Sequence, residues 1–125
     1  MSFNILIVDD SFVSRAVLRK SIEMADPSVD TIFEVSNGRQ ALKFLESHPV
    51  DMILDDLNIP EMNEQEMICQ ILMRPDTAHI PIVIISAETG EQRVNALRSR
   101  GICHYIQKPI NPEKIKIVLS KVRNL

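Results

Sequence analysis

The chain has 125 residues, enough for one domain with a real core and too few for two. It is 45% hydrophobic but only 4% aromatic, so its core is aliphatic, and no apolar run approaches the ~20 residues of a membrane span. The net charge of -3 hides an asymmetry: residues 1–88 carry 15 acids and 6 bases, and residues 89–125 carry 2 and 8. This split points to a cation site in the first part and an acidic partner for the second.

The opening MSFNILIVDD has no basic region and meets two acids at once, so a signal peptide is excluded and a cytoplasmic protein is expected. Asn4 to Val8 is a short apolar run, predicted as a strand that ends at Asp9 and Asp10. Ser11 caps a helix whose apolar stripe is Val13, Ala16, Val17, Leu18, Ile22 and Met24. Asp26-Pro27 stops it, and Thr31 to Val35 is a second strand, rich in β-branched and aromatic residues. Ser36-Asn37-Gly38 turns into a helix with Ala41, Leu42, Phe44 and Leu45 inward, closed by His48-Pro49. Met52 to Leu54 reads as a strand buried on both faces, ending in Asp55 and Asp56. Glu64 to Met73 is a third helix, with Met67, Ile68, Ile71 and Leu72 inward. Ile82 to Ile85 is a continuous apolar strand ending at Ser86. A fourth helix over 90–100, with Val94 and Leu97 inward, ends at Gly101, a left-handed stop. Ile102 to Gln107 is the fifth strand, ending at Lys108-Pro109. Asn111-Pro112 opens the fifth helix, with Ile115, Val118, Leu119 and Val122 inward.

Strand and helix alternate throughout, which predicts an α/β fold: a parallel sheet with helices on both faces, as one domain over residues 1–125. The ends of parallel strands meet at one sheet edge, where such folds bind ligands. Asp9 and Asp10, Asp56, Ser86 and Lys108 converge there. Each alone has an ordinary structural reading as a cap or surface residue. Together, at one edge of otherwise apolar strands, they point to function. Close carboxylates repel unless a cation sits among them, and carboxylate oxygens suit Mg²⁺. A carboxylate attacks phosphorus to give an aspartyl phosphate, whose developing charge needs a metal, a Lys and a hydroxyl donor. This set supplies them.

Four motifs in this order, VDDS at 8–11, DLNIP at 56–60, SAE at 86–88 and YIQKP at 105–109, resemble the receiver domain of response regulators, of the chemotaxis (CheY-like) kind. The resemblance spans essentially the whole chain. It implies a flavodoxin-like, doubly wound (βα)5 sheet of strand order 2-1-3-4-5. It implies a two-component phosphorylation switch, neither a turnover enzyme on a separate substrate nor a membrane or nucleic-acid binder. Asp56 matches the phosphoacceptor. Asp10, Asp56 and the backbone carbonyl of Asn58 would hold Mg²⁺, with Asp9 acting mostly through water. Ser86 and Lys108 would contact the phosphoryl group, Tyr105 matches the aromatic switch position, and Asn58 and Glu88 match the positions that tune dephosphorylation. The partners implied are a sensor histidine kinase or phosphotransfer protein, and a downstream protein at the face of the fourth helix, fifth strand and fifth helix. That face carries Arg93, Arg98, Arg100, Lys114, Lys116 and Lys121.

The chain departs from the family pattern at Met62-Asn63-Glu64, where Met-Asp-Gly is usual, and at Asp55, expected to point away from Asp56 by strand alternation. Cys103-His104 reads as neutral variation. Cys69 and Cys103 lack metal or redox spacing and are expected as reduced, half-buried thiols, and His48, His79 and His104 are too scattered for a metal site. A receiver cut from a larger regulator with an output domain would have the same sequence. A haloacid-dehalogenase-like Mg²⁺ phosphatase places its nucleophile at the first strand as Asp-x-Asp and needs a cap, for which there is no room. A dinucleotide site fails because Gly38, Gly90 and Gly101 form no phosphate-cradling loop.

Overall fold

The structure is a computed structural model, which describes residues 2–57, 62–87, 95–96, 98–99, 101–102 and 104–123. Five strands, β1 (Asn4–Val8), β2 (Thr31–Val35), β3 (Met52–Leu57), β4 (Ile82–Ser86) and β5 (His104–Gln107), form one sheet. All pairings are parallel and the order is β2-β1-β3-β4-β5. Helices α1 (Phe12–Ala25), α2 (Gly38–Leu45), α3 (Met62–Met73) and a C-terminal helix (Pro112–Arg123) cover the two faces. The alternating class and the implied strand order are both observed.

The central strands are apolar on both faces because both faces are covered. Leu6, Val8, Ile53, Ile82 and Ile84 pack with Ala41 and Leu45 of α2 and Met67, Ile68 and Ile71 of α3. Ile5, Ile7, Met52, Leu54, Val83, Ile85 and Ile106 pack on the other side with Leu18 and Ile22 of α1 and Ile115, Val118, Leu119 and Val122 of the C-terminal helix. The helix starts are capped as expected. Ser14 N–H donates to Ser11 Oγ (3.2 Å), Gln40 N–H to Asn37 Oδ1 (2.9 Å) and Lys114 N–H to Asn111 Oδ1 (2.8 Å). Each cap satisfies a helix amide that has no partner within its own helix.

Gly38 opens α2 where that helix crosses α3. A Cβ there would stand 2.9 Å from Met67 Cβ, and Met67 is fully buried. Gly38→Ala should therefore push α2 off its seat and destabilise the domain by about 1–3 kcal/mol, the usual range for overpacking. Urea denaturation against the parent measures this.

Three expectations are corrected. On α1 only Leu18 and Ile22 of the predicted stripe are buried, while Val13, Val17 and Met24 are largely exposed, as is Phe12. Helical periodicity marks a stripe but does not say how wide a face the sheet covers. The fifth strand starts at His104, with Ile102 buried ahead of it and Cys103 outside the described residues. Cys69 is exposed, on the outer side of α3. In the predicted fourth helix, Asn95, Ala96, Arg98 and Ser99 are helical, while Val94 and Leu97 lie outside the described residues. Gly101 has φ 89°, the left-handed stop expected of it, and its N–H donates to the Arg98 carbonyl (3.0 Å).

Candidate functional site

Parallel pairing carries β1, β3, β4 and β5 out of the sheet at one edge, and the register sets what stands there. Asp55 pairs with Val8 and Ile84, and Ile84 with Tyr105, so this row faces α2 and α3. Asp56 pairs with Ile85, and Ile85 with Ile106, so its row faces α1 and the C-terminal helix. The adjacent acids thus turn to opposite faces, as strand alternation requires. Asp55 is fully buried on its side.

Asp56 is buried, with 5% of the residue exposed, and Asp9 is buried beside it. Lys108 reaches over from the end of β5, its Nζ 2.6 Å from Asp56 Oδ1. Burial pushes the Asp56 carboxyl from 3.8 up to about 6; the hydrogen bond and charge of Lys108 pull it down, and the like charge and hydrogen bond of Asp9 push it up. Desolvation and like charge outweigh the ammonium, as expected when water is excluded.

Asp9 is anchored on several sides. Its N–H donates to the Val35 carbonyl (3.1 Å), and its Oδ1 accepts from Ser11 N–H (2.9 Å). Its carbonyl accepts from Arg15 Nη1 (2.6 Å). Arg15 Nε in turn lies 3.2 Å from Glu34 Oε1, and Arg19 Nε lies 2.7 Å from Glu34 Oε2. Sequence reasoning passed over this chain of contacts. Its only trace was an Arg pair at helical spacing and one acid in a strand, and which strand lies beside α1 is a tertiary fact.

Ser86 is buried at the end of β4 and its carbonyl accepts from Lys108 N–H (2.9 Å), tying the ends of β4 and β5 together. The Lys108–Pro109 peptide is cis. Ser86 pairs with Gln107, two residues beyond Tyr105, so Ser86 and Tyr105 lie on the same face of neighbouring strands. The Tyr105 ring packs against the α2–α3 side of the core, and its hydroxyl is buried with no hydrogen-bond partner among the described residues.

The structure therefore brings together Asp9, Asp56 and Lys108, with Ser86 on the adjoining strand end. Asp10 is exposed, and among the described residues no three His, Cys, Asp or Glu side chains gather closely enough to hold a metal. The expected acidic trio is a buried pair with Asp10 beside it in the chain. That pair still fits Mg²⁺, since its oxygens are hard donors and its mutual repulsion is what a divalent cation relieves. Asn58 and Glu88 lie outside the described residues, as does the side chain of Glu64.

On the basic face, Arg98, Lys116 and Lys121 are exposed, while Arg93 and Arg100 lie outside the described residues. Lys114 turns inward, its Nζ donating to the carbonyls of Gln107 (3.1 Å) and Pro109 (2.9 Å). No helix among the described residues is long and apolar enough to cross a membrane.

The family model described as the response regulator receiver domain matches residues 5–120. The two-component response regulator ORR5 of Oryza sativa subsp. japonica is 32% identical over 120 residues, which cover 95% of this chain and 87% of that protein. The chemotaxis response regulator CheY4 of Vibrio cholerae superposes with a TM-score of 0.84 at 25% identity, covering 98% of this chain and 99% of that one. A two-component response regulator from Legionella pneumophila shares the fold with a TM-score of 0.86 at 20% identity, covering 99% of this chain and 100% of that one. Sheet order, family match and sequence relatives converge, and the chain belongs to the receiver domains of two-component response regulators.

Proposed function

We propose that Asp56 is the phosphoacceptor of this receiver domain, and that residues 1–125 act as one phosphorylation switch. Phosphorylation at an aspartate and Mg²⁺ binding are typical of the family, whose members interact with histidine kinases or phosphotransfer proteins. The observation that carries the assignment is the Lys108 ammonium 2.6 Å from a buried carboxylate that is also pressed against Asp9. An oxygen of Asp56 forms a bond to phosphorus as the phosphorus–nitrogen bond of a phosphohistidine breaks, and the imidazole leaves with the electron pair. Asp10, Asp56 and the carbonyl of Asn58 would hold Mg²⁺, with Asp9 acting mostly through water, and the ion supplies positive charge to the phosphoryl oxygens when bound. Lys108 supplies a second positive charge, and Ser86 a hydroxyl donor.

The modified side chain carries about -1.5 to -2 charge at neutral pH. Its pull on Ser86 and Lys108 biases an existing equilibrium of the neighbouring surface. Tyr105 is placed to follow, since it shares a sheet face with Ser86 and its hydroxyl is buried without a partner among the described residues. Arg98, Lys116 and Lys121 then offer an acidic downstream protein a basic surface in the cytoplasm. Water later removes the phosphoryl group, at a rate tuned by Asn58 and Glu88.

Incubation with Mg²⁺ and acetyl phosphate, followed by intact-mass measurement, tests the assignment. The parent protein should gain the mass of one phosphoryl group and Asp56→Asn should gain none. No gain in the parent, or equal gain in both, refutes it.

A further inference from the structure

We propose that Arg15 is a positioning residue for the acidic pair, holding Asp9 in place for Mg²⁺ from outside the site; this rests on the phosphoacceptor reading above. The geometry is a relay. Glu34 on β2 is gripped by two guanidinium groups, Arg15 Nε at 3.2 Å and Arg19 Nε at 2.7 Å. Arg19 spends its other contact on the strand itself, with Nη2 donating to the Ile32 carbonyl (2.6 Å). Arg15 instead turns toward the site, with Nη1 donating to the Asp9 carbonyl (2.6 Å) and lying 3.5 Å from Ser36 Oγ. The Phe12 ring lies 5.8 Å from this guanidinium, and only 14% of the Arg15 side chain is exposed. The bond to the Asp9 carbonyl is charge-assisted and partly buried, while the Arg15–Glu34 pair lies at the surface.

The consequence follows from where Asp9 sits. Asp9 is the first residue after β1, in the short link to α1, and its carboxylate lies beside that of Asp56. A carbonyl fixed on one side of its Cα and an Oδ1 fixed by Ser11 N–H on the other leave the carboxylate little freedom. Losing the Arg15 bond frees the peptide that aims that carboxylate. A lysine keeps the charge but not the planar fork that reaches Glu34 and the Asp9 carbonyl together. Groups that orient a metal-binding residue without touching the metal typically carry 10–100-fold in affinity.

Arg19 provides the control, because it grips the same Glu34 without touching Asp9. Isothermal titration of Mg²⁺ into the parent, Arg15→Met, Arg15→Lys and Arg19→Met, with no phosphodonor, separates positioning from general bracing. Folding of each variant is checked by circular dichroism and urea denaturation. Arg15→Met should bind Mg²⁺ roughly 10-fold or more weakly, Arg15→Lys should recover only part of the loss, and Arg19→Met should bind as the parent does. If Arg15→Met does not fold, Arg15→Lys carries the comparison. Parent-like affinity in the Arg15 variants, or an equal loss in Arg19→Met, overturns the positioning role. A parent that binds no Mg²⁺ overturns the metal reading beneath it, and the proposal with it.

Discussion

Asp56→Asn should make the domain more stable at pH 7, by about 3 kcal/mol in the absence of divalent cations, and the gain should vanish in acid. The carboxyl titrates near 3.8 when unfolded and at about 6 when folded. A raised carboxyl pKa means that the folded state binds the proton more tightly than the unfolded state does. The contribution of Asp56 to stability is therefore greatest below pH 4, where it is protonated in both states, and falls as the pH rises from about 4 to about 6. The gap between those two pKa values corresponds to about 3 kcal/mol. Asparagine has no charge to bury, so the variant lacks this loss. Lys108 is 25% exposed and keeps contact with water once its ion pair with Asp56 is lost, so that loss costs little. Urea denaturation at pH 7 and pH 4 measures the difference. A stability difference of the same size at both values, or a less stable variant at pH 7, contradicts the account. Saturating Mg²⁺ should narrow the difference by stabilising the parent, by about 2.7 kcal/mol at a hundred times its Kd.

Lys108→Met should slow phosphoryl uptake from acetyl phosphate roughly 100-fold, the usual loss when one group that stabilises developing charge is removed. Two effects act in the same direction. The phosphoryl oxygens lose a cation held at the acceptor, and the Asp56 carboxyl loses the strongest influence that lowers its pKa. Its titration then moves above the present value of about 6, so a smaller fraction is ionised at pH 7. Raising the pH should restore part of the rate in the variant more than in the parent. Time-resolved intact mass across about pH 6–9 is the measurement, and labelling of Lys108→Met at the parent rate would rule out the role.

These effects share a cause that a sequence shows only in outline. Paired acids after apolar runs, a Ser ending one strand and a Lys before Pro109 were legible because the central strands are apolar runs up to those ends. Alternation of strand and helix made the sheet edge a meeting place before any distance was known. Asp55 and Asp56 were also separable in direction, since successive strand residues face opposite sides. The register then places Asp55 with Val8, Ile84 and Tyr105 and Asp56 with Ile85 and Ile106.

By itself, then, the sequence determined the fold class, the edge on which the chemistry gathers and the residue types available there. Local periodicity and strand-end polarity encode those features directly. Only the tertiary structure decided which acids lie together. Asp9 and Asp56 form a buried pair while Asp10 is exposed, because backbone direction after β1 sends adjacent side chains to different environments. It also decided that Val13, Val17 and Met24 are exposed and that Lys114 folds back onto the carbonyls of Gln107 and Pro109. Above all it decided that Arg15 meets both Glu34 and Asp9, residues joined by no local spacing, through the packing of α1 beside β2.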